Sequence, residues 1–283
     1  MNLSSRINVG LKKIARQFPR DSEIRMFFAK IWNKYLNSRG FVDVKINLDE
    51  FRLLPQYRQL AAEYEKKTYS QIKRMLYAVD GFIDVGANLG LYSMLAGRIM
   101  EEPKPIISIE ANPFTYKILT QHLSLNNNTS RVSAFNKAAA EKSDLKLRFL
   151  ADPSNAGDSQ ARITQDRSVG VDVDSICLDK IERVRSCKML LVKIDVEGAE
   201  LSVLKGAEGL LKSDNPPIIL LAIHPMFLPE FGVTVEQIYE YLNDLNYVAI
   251  NTSQEVIGKF GYDEYWMVPK GKEYILTTAL KHG

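Results

Sequence analysis

The sequence predicts an α/β fold, a mostly parallel sheet covered by helices on both faces, with a helical extension in front of it. Three observations carry that prediction. From Gly81 onward, short apolar runs alternate with helix-length stretches whose apolar residues recur at spacings of three and four. Several of the short runs are apolar throughout rather than alternating, as strands buried on both faces are. The 283 residues are 46% hydrophobic and 25% charged, enough core-forming material for one large domain plus an extension.

Residues 1–39 read as two helical runs. Leu11, Ile14, Ala15 and Phe18 form the first stripe, and Ile24, Phe27, Phe28, Ile31, Trp32 and Tyr35 the second. Pro19 separates them, Asp21 or Ser22 can cap the second, and Gly40 ends it. A strand-like or irregular stretch covers 41–55, and a polar helix covers about 57–79. The domain boundary is therefore placed between 1–64, the extension, and 65–283, the sheet-bearing domain. Within the latter, strands are expected at Phe82–Val85, Pro105–Glu110, Arg131–Ala138, Leu145–Leu150, Val169–Leu178, Met189–Ile194, Ile218–Ile223, Tyr247–Asn251 and Tyr262–Val268. Helices are expected at Leu91–Met100, from Asn112-Pro113 to about Leu125, at Glu200–Leu211 and at Val235–Leu245.

The net charge of +3 hides an asymmetry. Residues 1–40 hold nine Lys or Arg against Asp21 and Glu23, a surplus of +7 that leaves −4 for the remainder. A basic head thus precedes a mildly acidic body, and whole-chain charge gives no argument for nucleic acid. Cys177 and Cys187 are too few for a disulfide framework or a zinc site, which points to a reducing, cytoplasmic setting. The longest apolar stretch, Pro216–Pro229, contains His224 and falls short of the roughly 20 residues of a membrane span. The first residues lack the apolar run of a signal peptide.

Four segments carry chemistry. Phe82-Ile-Asp-Val-Gly-Ala-Asn-Leu-Gly90 ends a strand and opens a helix, the place where open α/β sheets bind ligands. Gly86 and Gly90 allow close backbone approach, the helix start offers free N–H groups, and Asp84 can accept from an ammonium or from loop amides. The spacing is Gly-x-x-x-Gly rather than the Gly-x-Gly-x-x-Gly of a pyrophosphate cradle, and no Gly-Lys-Ser/Thr follows. Glu110 closes the second strand 20 residues beyond Gly90, where a carboxylate can take both hydroxyls of a ribose. Val192-Lys-Ile-Asp-Val-Glu-Gly-Ala-Glu200 places Asp195 at a strand end and Glu197 two residues on, able to accept a proton or hold a cation. In that segment Glu200 reads as a helix cap and Lys193 as a buried ion-pair partner. His224 ends the next strand, beside Asp195. His122 and His282 are given no function.

These segments resemble the FkbM family of S-adenosylmethionine-dependent methyltransferases. The resemblance rests on Ile83-Asp-Val-Gly-Ala-Asn-Leu-Gly90, Glu110-Ala-Asn-Pro113, Lys193-Ile-Asp-Val-Glu-Gly-Ala-Glu200, Leu204-Lys-Gly-Ala207 and Ile223-His-Pro225, with weaker support from Asn136-Lys-Ala138 and Leu178-Asp179. It covers roughly residues 65–270. It implies the class I methyltransferase (Rossmann-like) fold, seven strands with the last one antiparallel and inserted between neighbours. It also implies that Asp84, Gly86, Asn88 and Gly90 surround the methionine part of the cofactor, that Glu110 binds its ribose, and that the Asn136–Ala138 turn lies near adenine. Asp195, Glu197 and His224 would then stand near the methyl group and the acceptor. Family members typically methylate hydroxyls, often on sugars or polyketides. One departure is Ala222, two residues before His224, where the family often has Glu.

The reaction so implied is methyl transfer to a hydroxyl, on a sugar, glycan or glycolipid precursor, with Asp195, Glu197 and His224 as candidate bases. A divalent cation is the lesser alternative, because no clear third and fourth protein ligands emerge from the sequence, so no metal site is assigned. The loop Asn155–Ser159 can offer polar contacts to an acceptor. Competing readings are a nicotinamide-dependent oxidoreductase, disfavoured by the glycine spacing, and a non-catalytic interaction protein keeping the fold. Expected partners are a small-molecule or glycan acceptor and no nucleic acid. Residues 1–39 are expected to pack on the body or on a second copy, with peripheral contact to an anionic membrane as the alternative.

Overall fold

The computed structural model describes residues 38–60, 63–151, 162–166 and 168–281, together with 22, 26–27, 30–31 and 34–35. The chain divides into two compact units, Met1–Ala62 and Glu63–Gly283.

In the first unit the second amphipathic run is helical wherever it is described, at 26–27, 30–31, 34–35 and 38–39. The Ser22 carbonyl accepts Met26 N–H at 3.1 Å, and Gly40 (φ +73°) ends the run as expected. The first run, with Leu11, Ile14, Ala15 and Phe18, lies outside the described residues. The stretch left open as strand-like or irregular is a hairpin, β1 (Val42–Ile46) and β2 (Asp49–Leu53), paired antiparallel from Val42↔Leu53 to Ile46↔Asp49. Val42, Val44 and Ile46 are buried in alternation with exposed Asp43 and Lys45, as a period of two requires. The two-residue loop Asn47-Leu48 has positive φ at both positions, the combination that matches strand twist in a tight hairpin. Leu48 is an unusual occupant there, so no turn motif announces the hairpin.

The second unit is built on an eight-stranded sheet. Its strands are β3 (Gly81–Val85), β4 (Ile106–Ile109), β5 (Val132–Phe135), β10 (Leu190–Ile194), β11 (Ile218–Ile223), β12 (Tyr247–Asn251), β13 (Val256–Ile257) and β14 (Asp263–Pro269). Their spatial order is β13-β12-β14-β11-β10-β3-β4-β5. All pairs from β11 to β5 are parallel, whereas β14 runs antiparallel between β11 and β12. With the two-residue β13 set aside as an edge, this is a seven-stranded sheet with its last strand antiparallel and inserted between neighbours. The α/β class I methyltransferase fold expected from the sequence is therefore present. Strands β3, β10 and β11 are buried along their whole length. Helices α1 (Lys66–Ala78), α2 (Leu91–Ile99), α3 (Pro113–Leu125), α4 (Glu200–Lys205), α5 (Glu208–Leu211), α6 (Val235–Asp244) and α7 (Glu273–Lys281) connect or flank the strands. Asn112 caps α3 as expected, its Oδ1 accepting from Phe114 N at 3.0 Å, with Pro113 in the first turn.

Three expectations are corrected. The polar helix begins at Lys66 rather than near 57, because Glu65 is left-handed (φ +40°); Pro55–Tyr57 is a separate 3-10 turn. The strand expected over Arg131–Ala138 is two, β5 and β6 (Ala138–Ala139), since Asn136 turns the chain by donating to the Glu110 and Ala111 carbonyls at 2.9 and 3.0 Å. β6 then joins a second sheet, of order β6-β9-β7-β8, with β7 (Lys146–Phe149), β8 (Ile163–Thr164) and β9 (Val171–Ile176). The helix expected over Glu200–Leu211 is broken after Lys205. Gly206 lies so close to the residue following β6 that a Cβ there would sit 2.1 Å from the Ala140 carbonyl oxygen. The new helix start, at α5, is capped by Asp179, which accepts from Gly209 N and Leu210 N, each at 2.8 Å. The acceptor loop proposed at Asn155–Ser159 lies outside the described residues.

Candidate active site

The loops that follow β3, β4, β5, β10 and β11 gather at one end of the parallel sheet, where crevices in such sheets form. They line a cavity of about 250 Å³. Of the residues singled out from sequence, Gly86, Asn88, Glu110, Ala138, Asp195, Glu197 and His224 line it. Asp84, Gly90 and Asn136 are not on its wall.

Glu110 is the best-defined member. Its residue is 6% exposed, and its two oxygens each accept one backbone N–H at 2.8 Å, from Asn112 and from Asn88. Burial pushes its carboxyl up to about 7, against the pull of those two bonds toward ionisation. An ionised carboxylate offers about four acceptor sites, so two remain for hydroxyls in the cavity. Asn88 sits in a left-handed conformation (φ 49°), and its buried Oδ1 has no hydrogen-bond partner among the described residues. The same is true of Asp84 Oδ1, while Asp84 Oδ2 accepts from Ser93 at 2.6 Å. Burial raises the Asp84 carboxyl. A carboxylate with free acceptor sites and a buried amide oxygen beside it are what the ribose hydroxyls and amino group of S-adenosylmethionine would use.

Packing adds a second demand at the two glycines. The space left by the missing Cβ of Gly86 is filled by the Asp195 carbonyl oxygen, 1.8 Å from where that Cβ would stand. At Gly90 it is filled by Leu119 Cδ1, at 2.3 Å. Both residues have positive φ, so glycine serves the turn and the packing of neighbouring backbone.

Across the cavity, Asp195, Glu197 and His224 offer three ligand-type atoms within 4.8 Å of one another. Lys193 lies buried in β10 and pairs with Asp195 Oδ2 at 2.9 Å. Burial alone would discharge Lys193, but the charges of Asp195 and Asp84 outweigh it and hold its pKa above the ordinary lysine value. Burial likewise opposes ionisation of Asp195, and Lys193 reverses this and lowers its pKa. Glu197 (φ 52°) is pushed up to about 7 by burial, aided by its carboxylate neighbours. His224 Nδ1 lies 3.0 Å from Glu200 Oε1, and Nε2 faces Asp195 Oδ1 and Glu197 Oε1, each at 3.7 Å. Burial lowers the His224 pKa, and the Glu200 bond with the two cavity carboxylates more than restores it.

Glu200 therefore does more than its sequence reading allowed. Its Oε1 accepts Gly198 N–H at 3.1 Å, as a cap does, and it also holds the histidine ring. The sequence could not show this, because residues 24 positions apart meet only through the parallel pairing of β10 and β11. Asn112, from the Glu110–Pro113 segment, lines the cavity too, as do Tyr64, Glu65, Thr115, Phe149 and Tyr262, which no motif announced. At Ala222, which lacks the carboxylate frequent at that position, the residue paired across the sheet is Glu264. Cross-strand partners share a face, so a carboxylate is present at this level of the sheet, where it accepts from Thr68.

The sheet order and the clustered strand-end loops define a chain of the class I methyltransferase type. Residues 84–249 match the methyltransferase FkbM domain. The chain belongs to that family of S-adenosylmethionine-dependent methyltransferases. It is 30% identical over 157 residues to methyltransferase sdnD of Sordaria araneosa, a span of 44% of this chain and 60% of that one. The chain thus matches somewhat less than two thirds of the curated relative's length. In shape it is similar to an O-methyltransferase from Bacillus cereus in complex with SAH, at 12% identity and a TM-score of 0.41, over 72% of this chain and 79% of that one. It is also similar to a precorrin-6y C5,15-methyltransferase from Geobacter metallireducens, at 13% identity and a TM-score of 0.40, over 78% and 94%. At such distances neither likeness bears on the reaction.

Proposed function

We propose that the protein transfers a methyl group from S-adenosylmethionine to a hydroxyl, on a sugar, glycan or glycolipid precursor. The observation that carries this reading is that one cavity is lined by Glu110 together with Asp195, Glu197 and His224. S-adenosylmethionine, when bound, supplies a methyl group on a positively charged sulfur. Glu110 takes the ribose hydroxyls, and Asn88 Oδ1 and the loop after β3 take polar atoms of the methionine portion. In the transfer the sulfur–methyl bond breaks as the oxygen–methyl bond forms. S-adenosylhomocysteine and a methyl ether result, and the hydroxyl proton must leave. A neutral alcohol is a weak nucleophile, so the cluster of Asp195, Glu197 and His224 is the place where that proton is accepted. Glu200 is a positioning residue that fixes the imidazole with Nε2 toward the cavity. The polar wall supports a hydroxylated acceptor, and family membership supports its class.

The test is mass spectrometry of glycans and lipids from cells with the active protein and with a Glu110→Ala variant. One species should lose a CH2 increment with the variant. An unchanged profile, with S-adenosylhomocysteine binding intact in the wild type and lost in the variant, would refute this acceptor class.

A further inference from the structure

We propose that Asp195, Glu197 and His224 bind a divalent cation, and that the acceptor hydroxyl ionises as a ligand of that cation. The inference rests on the methyltransferase reading and adds a metal to its acceptor side. The sequence set His224 beside Asp195; the fold brings its Nε2 to 3.7 Å from both Asp195 Oδ1 and Glu197 Oε1.

The geometry separates a metal site from a hydrogen-bonded cluster. His224 is 8% exposed, and among the described residues its Nε2 has no partner at hydrogen-bond distance. It faces Asp195 Oδ1 and Glu197 Oε1 at 3.7 Å each. An N–H···O bond closes to about 2.7–3.2 Å, so a protonated ring would be expected to pull in on one carboxylate. Ligands about 2.1 Å from one ion instead stand about 3 Å apart at a right angle and about 3.5 Å apart at a tetrahedral angle. The observed spacing is close to the second value, with both carboxylate oxygens equally distant from the nitrogen.

The surroundings fit the same reading. Histidines that ligate metals usually give their other ring nitrogen to a carboxylate or carbonyl, which fixes tautomer and orientation. Here Glu200, fully buried, faces Nδ1 at 3.0 Å. Lys193 engages only Oδ2 of Asp195, leaving Oδ1 for the ion. Two oxygens and one imidazole suit zinc or manganese rather than magnesium, and leave open positions for an acceptor oxygen and water. Bound there, the hydroxyl loses its proton to the non-ligating oxygen of Glu197 or to water, and the resulting alkoxide is the nucleophile.

The experiment is titration of the full chain with Mn2+ alone, followed by calorimetry and by the electron paramagnetic resonance of the free ion. S-adenosylhomocysteine binding is measured in parallel. One Mn2+ per chain is expected. Glu197→Gln should weaken Mn2+ binding by at least about 10-fold and Glu200→Gln by about 10-fold, the usual effect of losing an outer partner. Both should leave S-adenosylhomocysteine affinity within about threefold, which also shows that the variants are folded. Absent Mn2+ binding, or binding indifferent to Glu197→Gln, overturns the metal site while normal S-adenosylhomocysteine binding preserves the methyltransferase reading. Loss of S-adenosylhomocysteine binding by the wild type would instead remove the reading on which this one stands.

Discussion

The affinity of this protein for S-adenosylhomocysteine should rise with pH, and Glu110 should be the reason. The cavity-side carboxyl is held near 7 by burial, and only its ionised form accepts hydroxyls at both oxygens while keeping the Asn88 and Asn112 bonds. If the ligand binds the ionised form alone, the apparent Kd scales inversely with the ionised fraction. About one tenth of the protein is competent at pH 6 and about nine tenths at pH 8, so affinity should improve roughly tenfold over that interval. Glu110→Gln should flatten the profile. At pH 8 it should also lose about 1.5–3 kcal/mol, the worth of a hydrogen bond to a charged group, or roughly 10- to 150-fold in Kd. Isothermal titration at pH 6, 7 and 8 reads both effects, with Glu197→Gln as a control that should retain the tenfold change. A flat wild-type profile combined with a Gln variant of unaltered affinity would refute the assignment of Glu110 to the ribose. The same shift acts oppositely on folding. A raised pKa means the folded state holds the proton more tightly than the unfolded chain. Stability from this group is therefore full below the ordinary value of 4.5 and falls as pH rises through 7, by at most about 3 kcal/mol.

Three further outcomes are expected. Gly86→Ala should destabilise the fold by roughly 2–5 kcal/mol in urea titration, combining a left-handed backbone penalty with displacement of the Asp195 carbonyl; an unchanged midpoint would contradict the packing described. Asp179→Ala removes both N–H acceptors at the start of α5 and should cost about 1–2 kcal/mol in the same assay, whereas a change below about 0.3 kcal/mol would show the cap to be dispensable. For the basic segment 1–39 we propose protein packing, with exposed Met26, Phe27 and Ile31 as the apolar residues that a protein surface would cover. The full chain should stay in the supernatant with anionic vesicles at physiological salt, and co-sedimentation abolished by deletion of 1–39 would reverse that assignment.

The periodic features of the chain were legible because their causes are local. Buried strands such as β10 and β11 are apolar runs, and Asn112-Pro113 carries both a cap and a first-turn proline, so the sequence shows them directly. Glu110, Asp195 and His224 could be placed at one sheet end because each closes a strand. What was hidden depends on contacts remote in sequence. Gly206 breaks a helix where the Ala140 carbonyl lies against it, and Asn136 splits a strand because Glu110 and Ala111 offer carbonyls to its side chain. Asn47-Leu48 adopts a tight turn without the glycine that would have announced it. The partnership of Glu200 with His224 had no local trace, since a carboxylate in a first helical turn is explained well enough by the helix itself.

The remote contacts also explain how cofactor and acceptor groups are kept in register. Asn88, on the loop after β3, is tied to Glu110 through its backbone N–H, and Glu110 to Asn112 on the loop after β4. The loop after β3 is tied in turn to the one after β10, because Asp195 N–H donates to the Val85 carbonyl at 3.1 Å and the Asp195 carbonyl occupies the space beside Gly86. Glu200, just beyond, sets the histidine of the next strand end. A displacement of Gly86 would therefore be felt at Asp195 and, through the shared cavity, at both partners in the transfer. In-line methyl transfer depends on alignment, and misplacement by about 1 Å can cost on the order of a hundredfold in rate. Gly86→Ala, should enough of it fold to be assayed, is then expected to lose more in turnover than in S-adenosylhomocysteine affinity. An equal loss in the two would mean that the loops move as independent pieces.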